Sequence, residues 1–252
     1  MLEGARLAVV VPAYNEERLL AKTLTTMPPF VDDVVVVDDA SSDRTFDVAS
    51  SFASPRVRAF RHEVNRGVGA AIVTGYRLAL AQGAEAIAVM AGDAQMHPDD
   101  LAPLALPVVQ GVADYAKGDR FCHADAWRTI PVERSIAGRV LSALTRRAAG
   151  LDALSDSQCG YTVISAHAAR TIDLDSVFPR YGYPNDLLGK LSLAGLRIRD
   201  VPVRPVYGDE KSGIRPWHVA VIVGLVARVA WERKLSPRRT SAILTREGPG
   251  TA

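Results

Sequence analysis

The feature that most constrains this chain is a rhythm. Short, mainly apolar runs rich in β-branched residues stop at polar clusters and alternate with stretches of helical spacing. Leu7 to Ala13 reads Leu-Ala-Val-Val-Val-Pro-Ala and ends at Tyr14-Asn15-Glu16. Val34 to Val37 is an unbroken valine run closed by Asp38-Asp39, and Val57 to Arg61 forms a third segment. Ala86 to Met90 ends at Ala91-Gly92-Asp93-Ala94-Gln95, and Asp114 to Lys117 is a short fifth segment. Apolar runs without polar alternation are strands buried on both faces. Between them, Glu17 to Met27, Arg44 to Phe52, Ala70 to Gln82 and Asp99 or Asp100 to Val109 read as helices, with Ser42 or Asp43 able to cap the second. Such alternation predicts a mainly parallel sheet with right-handed crossovers and helices on both faces. Ligands of such sheets bind beyond the carboxyl ends of the strands. The polar clusters fall at those ends, which makes them the candidate site.

The second half is less regular. Ile136 to Ala149 reads as a helix, and a polar loop from Ser155 to Tyr161 leads into a strand at Thr162 to Ile164. Pro184-Asn185-Asp186 precedes a helix from Leu187 to Ala194, Arg197 to Val203 alternates like a strand, and Trp217 to Leu235 reads as a terminal helix. The expected organisation is a catalytic domain over 1–215, an amphipathic helix over 216–235 and a flexible basic tail over 236–252.

At 252 residues the chain can bury a large core without staples. Its two cysteines, Cys122 and Cys159, give no disulfide framework, so free thiols in a reducing compartment are expected. The N-terminus shows no signal peptide, and no apolar run reaches the roughly 20 residues that span a bilayer. The chain therefore reads as cytoplasmic, with a place at the inner face of the membrane left open. The formal net charge of +2 argues neither way on nucleic acid, and no such partner is expected. Positive charge gathers near the end, at Arg228, Arg233, Lys234, Arg238 and Arg239. That is either a solvated end or a surface for anionic lipid. In the terminal helix Trp217, Val221, Leu225, Val229 and Trp231 share one sector, which reads as an interfacial face, as a face packed on the domain, or as a dimer contact. A homodimer is left open on the same ground.

Three clusters carry chemistry. Asp38 and Asp39 are adjacent and cannot face the same way, so one can turn outward to a nucleobase or ribose, or both can serve the turn. Asp93 and the side-chain oxygen of Gln95 offer hard ligands for magnesium or manganese, with diphosphate and water completing the shell. Asn65-Arg66-Gly67-Val68-Gly69-Ala70 resembles a phosphate cradle at a helix N-terminus, though glycines there serve packing as readily. The histidines, His62 and His97 among them, show no metal-ligand spacing.

Taken in order, these motifs resemble the family 2 glycosyltransferases of the GT-A fold. The matching residues are Val10 to Glu16, Val36 to Asp43, Asn65-Arg66-Gly67, and Gly92 to Gln95 with His97-Pro98. Within the family the chain is most similar to the polyprenyl-phosphate and dolichol-phosphate sugar transferases. Lys117-Gly118-Asp119-Arg120 stands where those have Gly-Ser-Arg, Asp156 to Tyr161 resembles their Asp-x-Thr-Ser-Gly-Phe loop, and Gly182 to Asp186 lies where they carry an acidic residue opening a helix. The resemblance implies a GT-A (Rossmann-like) mixed, mainly parallel α/β sheet with a C-terminal helical extension. It also implies an inverting, metal-dependent hexosyltransferase that takes a UDP- or GDP-linked sugar to a polyprenyl phosphate. Pro12, Tyr14, Glu16, Asp38, Asp39, Arg66, Gly92, Asp93 and Lys211 are then the nucleotide-sugar residues. Asp93 and Gln95 bind the metal, and Arg120 and Arg134 meet the acceptor phosphate. A phosphate acceptor needs no protein base. A sugar hydroxyl acceptor needs one, for which Asp156 and Asp186 are the candidates. That soluble hydroxyl-directed transferase is one alternative, and a non-catalytic nucleotide-sugar binder is another. Two departures stand out. Ala91 replaces the first acid of Asp-x-Asp-x-Gln, and Glu210-Lys211-Ser212 replaces Glu-Ser-Lys without the arginine before it, a loss that Arg204 or Arg215 can compensate.

Overall fold

A computed structural model describes residues 1–206 and 216–235, with side chains in the last helix from Ala220 onward. Lys211 and Arg215 lie outside the described residues, as does the side chain of Trp217.

Seven strands form one sheet. In chain order they are β1 (Leu7–Ala13), β2 (Asp33–Asp38), β3 (Val57–Arg61), β4 (Ala86–Val89), β5 (Tyr115–Asp119), β6 (Thr162–Ser165) and β7 (Ile198–Pro202). The order across the sheet is β3-β2-β1-β4-β6-β5-β7. The strands from β3 to β4 are parallel, β6 runs antiparallel to both its neighbours, and β7 pairs parallel with β5. The mixed, mainly parallel expectation holds. The order reverses at β1, which has β2 on one side and β4 on the other, so a crevice opens at the carboxyl ends of β1 and β4. Val10 pairs with Val35 and Val89 there.

The helices are α1 (Leu20–Thr25), α2 (Thr45–Ser50), α3 (Val68–Ala81), α4 (Leu101–Val109), α5 (Ala126–Thr129), α6 (Val132–Ala149), α7 (Ala166–Thr171), α8 (Tyr183–Leu193) and α9 (Pro216–Leu235). β1 shows why its sequence has no polar alternation: every residue is buried and successive side chains enter opposite cores. Ala8 and Val10 join Ile72 and Tyr76 of α3 and Leu187 of α8. Leu7, Val9 and Val11 join Leu20 of α1 and Leu104 of α4. Gly75 lets α3 lie directly on β1, because a Cβ there would overlap Val10.

Among the differences from the expectation, two helix starts and the setting of the last helix bear on the site. The first helix starts at Leu20, not Glu17, because the preceding backbone is spent on the neighbouring loop: Glu16 N donates to Thr45 Oγ1 at 2.7 Å and Glu17 N to Asp43 Oδ2 at 3.2 Å. The helix α8 starts at Tyr183, with Pro184 inside its first turn, where proline's missing N–H costs nothing. Asp186 therefore lies within that helix rather than ahead of it. The terminal helix, α9, forms over the expected span, but its sector is not an exposed face. Leu225 and Val229 are buried, whereas Val221 and Trp231 are exposed. Leu225 rests on Gly182, and Val229 rests on Gly189 of α8. The helix thus belongs to the core of the domain. No helix among the described residues is long and apolar enough to cross a membrane.

Candidate active site

Two adjoining cavities open at the crevice and share Pro12, Val68 and Tyr181. The first, about 480 Å³, is walled by Tyr14, Asp39, Asn65, Gly67, Phe178 and Arg180, with Val221 of α9. The second, about 300 Å³, holds Asp93, Gln95, Arg120, Gln158, Arg204 and several tyrosines, with Ile222 of α9.

The loops of the first cavity are held by their own polar groups. Asp38 is fully buried, accepts from Ser41 N at 3.1 Å and pairs with Arg61 at 3.2 Å. Asp39 is 3% exposed and accepts from Arg66 N at 2.9 Å, Gly67 N at 2.7 Å and His62 Nδ1 at 2.7 Å. Of the two readings of this pair, the structure agrees with the one in which both serve the turns. Both point into the protein, because the turn amides that follow need acceptors, and Asp39 alone borders the cavity. Between these loops Asn15 Oδ1 accepts from Ser42 N at 2.9 Å, and its backbone is left-handed, at φ 58°. Tyr14 is half exposed beside them.

The glycines at the start of α3 serve packing. A Cβ at Gly69 would meet the Phe178 carbonyl, and Ala70 N donates to Pro179 O at 3.1 Å. The segment 178–180 is thereby pressed against the cavity, and Arg180 reaches Asn65 Oδ1 at 3.4 Å. Arg66 is exposed and takes part through its backbone.

In the second cavity Asp93-Ala94-Gln95 makes a tight turn. Ala94 sits at φ 55°, a conformation non-glycine residues seldom adopt, and Gln95 N donates to Asp93 Oδ1 at 3.0 Å. Gly92 packs on Ala13 and Glu16, with its N–H on Pro12 O at 3.1 Å. Ala91 lines the wall where the motif carries an acid. Among the described residues no group of three or more His, Cys, Asp or Glu side chains could hold a metal ion. Asp93 and Gln95 alone make a two-donor set. It fits a hard cation only where a diphosphate brings further oxygens.

Arg120 is built in from below. Its guanidinium forms a fork on Asp156, with Nε to Oδ2 at 2.7 Å and Nη2 to Oδ1 at 3.1 Å. Burial pushes the Asp156 carboxyl up, but Arg120 and then Lys117 outweigh it and hold the group below the usual carboxylate range. Lys117 is itself fully buried and donates to the Cys159 carbonyl, and burial lowers its pKa. Asp200 lies beside this group. Burial pushes its carboxyl up to about 7, against one hydrogen bond from Ser155 N at 2.7 Å.

Both candidate bases are thereby corrected. Asp156 has no exposed surface and is consumed by Arg120. Asp186 is 1% exposed, accepts from Phe178 N at 2.8 Å and pairs with Arg228 of α9. Neither can reach a hydroxyl. Arg134 is exposed in the first turn of α6 and does not line either cavity. By helical period it shares a side with Gly138, which packs on Phe121 next to Arg120. Arg204 lines the second cavity, pairs with Asp100 at 3.2 Å and faces His97 Nδ1 at 2.9 Å. Arg180, Tyr181, Phe178 and Ile222 were missed by sequence reasoning, since they stand in no motif and arrive by tertiary packing.

The chain matches the model of glycosyl transferase family 2 over residues 8–170. An undecaprenyl-phosphate mannosyltransferase from Micrococcus luteus is 32% identical over 203 residues, covering 79% of this chain and 82% of that one. A UDP-N-acetylglucosamine–dolichyl-phosphate N-acetylglucosaminyltransferase from Methanococcus voltae is 26% identical over 216 residues, covering 80% and 86%. Among solved structures, glucosyl-3-phosphoglycerate synthase from Mycobacterium tuberculosis, bound to Mn2+, UDP-glucose and phosphoglyceric acid, superposes with a TM-score of 0.64. That structure is 20% identical and covers 91% of this chain and 81% of its own, a likeness of fold.

Proposed function

The chain belongs to glycosyl transferase family 2, and on that premise we propose that it transfers a sugar, with inversion, from a nucleoside diphosphate sugar to a polyprenyl phosphate at the cytoplasmic face of a membrane. One observation carries the choice of acceptor: neither Asp156 nor Asp186 is free to act as a base, while Arg120 is presented to the cavity. A phosphate acceptor is already an anion at neutral pH and needs positioning and charge, not deprotonation. The names of the undecaprenyl- and dolichyl-phosphate relatives support the same reading.

The nucleotide, UDP or GDP, takes the cavity of Tyr14, Asp39 and Asn65, with Pro12, Glu16, Arg66 and Gly92 shaping its loops. Its diphosphate lies toward Asp93. Asp93 and Gln95 would hold a magnesium or manganese ion, which when bound neutralises charge gathering on the departing diphosphate. Arg120, oriented by Asp156, and Arg134 draw the acceptor phosphate in. Its oxygen attacks the anomeric carbon as the bond to the diphosphate breaks on the opposite side. Lys211, outside the described residues, is proposed to meet the donor diphosphate.

Asp93→Asn tests the donor half. Transfer assayed with excess Mn2+ should fall about a hundredfold, while the affinity for free nucleotide measured without metal stays unchanged. Undiminished transfer would remove Asp93 from the metal role.

A further inference from the structure

The second cavity holds both ends of the proposed reaction. The diphosphate leaves near Asp93 and the acceptor phosphate enters at Arg120, and both residues line this one space. The sugar, whose anomeric carbon takes the attack, therefore lies between them. Part of the wall around it is apolar. Ile72 is 1% exposed and Val89 2%, and Met96 and Ile222 line the same space. Ala91 brings no charge where the motif carries an acid. Gly160 keeps the cavity open, because a Cβ there would stand 3.2 Å from the Met96 methyl and 3.7 Å from the Tyr183 hydroxyl.

Two polar groups stand in this setting with bonding capacity to spare. Tyr183, the first residue of α8, is 8% exposed, and its Cβ is anchored against Gly69 of α3. Its hydroxyl has no hydrogen-bond partner among the described residues, and burial holds it protonated, so it is a donor. A buried hydroxyl without a partner is costly, and a ligand in the cavity removes that cost. Gln158 donates from Nε2 to Ser157 Oγ at 2.8 Å and to Asn185 Oδ1 at 3.0 Å, which leaves its Oε1 as an acceptor. A sugar hydroxyl set against Ile72 and Val89 would lose water and gain no bond. An acetamido group suits all three features. Its carbonyl oxygen accepts from a hydroxyl, its N–H donates to an amide oxygen, and its methyl lies on an aliphatic wall.

We propose that the second cavity selects a donor whose sugar carries an acetamido group, and that Tyr183 is the residue that reads it. The inference rests on the proposed sugar transfer and adds the class of sugar. Gly160 leaves the room the group needs, and Gln158 supplies the acceptor for its N–H.

The test uses the full chain with Mn2+ and no acceptor, and calorimetry of UDP-N-acetylglucosamine, UDP-glucose and GDP-mannose. The acetamido donor should bind at least about tenfold more tightly than either plain hexose donor. Tyr183→Phe should shrink that margin by a factor of about five to ten, the worth of one hydrogen bond. The affinity for UDP alone should stay at the wild-type value, which shows that the variant folds. Failure of the acetamido donor to bind, or equal or tighter binding of a plain hexose donor, would overturn the assignment. So would a preference that Tyr183→Phe leaves undiminished. Transfer from each donor to a polyprenyl phosphate is followed separately. A preference in binding that depends on Tyr183, with no transfer to that acceptor, would leave the sugar pocket standing and sink the proposed function instead.

Discussion

At the scale of single residues, the acids of this site divide by what surrounds them. Asp156 is ionised and spoken for by Arg120, so it positions rather than removes protons. Asp156→Asn should therefore raise the KM for the acceptor phosphate while transfer persists, because Arg120 remains. A base would show the opposite split, with kcat abolished and KM unmoved. Asp200 behaves differently. Its carboxyl is raised to about 7 in the folded protein against 3.8 in the open chain. Between those values the folded state holds the extra proton, so stability falls as pH rises from about 4 to about 7 and is level above it. Asp200→Asn removes that slope. Chemical denaturation should show the variant gaining about 2–3 kcal/mol relative to wild type on going from pH 5 to pH 8. A constant difference between the two pH values would show that Asp200 does not titrate there.

At the scale of elements, the latch between α8 and α9 deserves a direct test. Asp186 is buried and depends on Arg228, with Lys190 at 3.8 Å as a weaker partner. Arg228→Ala leaves that carboxylate short of charge, and unfolding should show a loss of about 3 kcal/mol. Because Val221 and Ile222 line the two cavities, nucleotide affinity should weaken as well. Asp186→Asn in the same background should recover part of the stability, since the uncompensated charge is gone.

The elements also show what was legible in advance. The strands β1, β2 and β4 could be read because they are buried on both faces, and their ends located the crevice. The helices α5 and α7 are too short to carry a period. The outward face of α6 could not be assigned, because periodicity gives a stripe without saying which side it faces. The sector of α9 was real, but whether solvent or Gly182 and Gly189 would meet it depended on partners distant in the chain. Within the site, Asp93, Gln95 and Arg120 stand in local motifs at strand ends and were found. Asp39 borders the other cavity, yet its inward orientation follows from the amide needs of the loop between Asn65 and Gly67, and Asp38 serves the turn at Ser41 instead. Arg180 and Tyr181 had no local signal.

At the scale of the whole molecule, the cavity of Tyr14 and Asp39, proposed for the nucleotide, sits at the switch in strand order beside a cavity presenting Arg120. Membership of glycosyl transferase family 2 fixes the class of reaction. Asp156 and Asp186 are both held in ion pairs, so the proposed acceptor is a group that needs no base, a phosphate. The most direct measurement offers the enzyme a matched pair, a polyprenyl phosphate and the corresponding polyprenol, with the same nucleotide sugar and Mn2+. The phosphate should be glycosylated and the alcohol should not. Transfer to the alcohol at a comparable rate would contradict it.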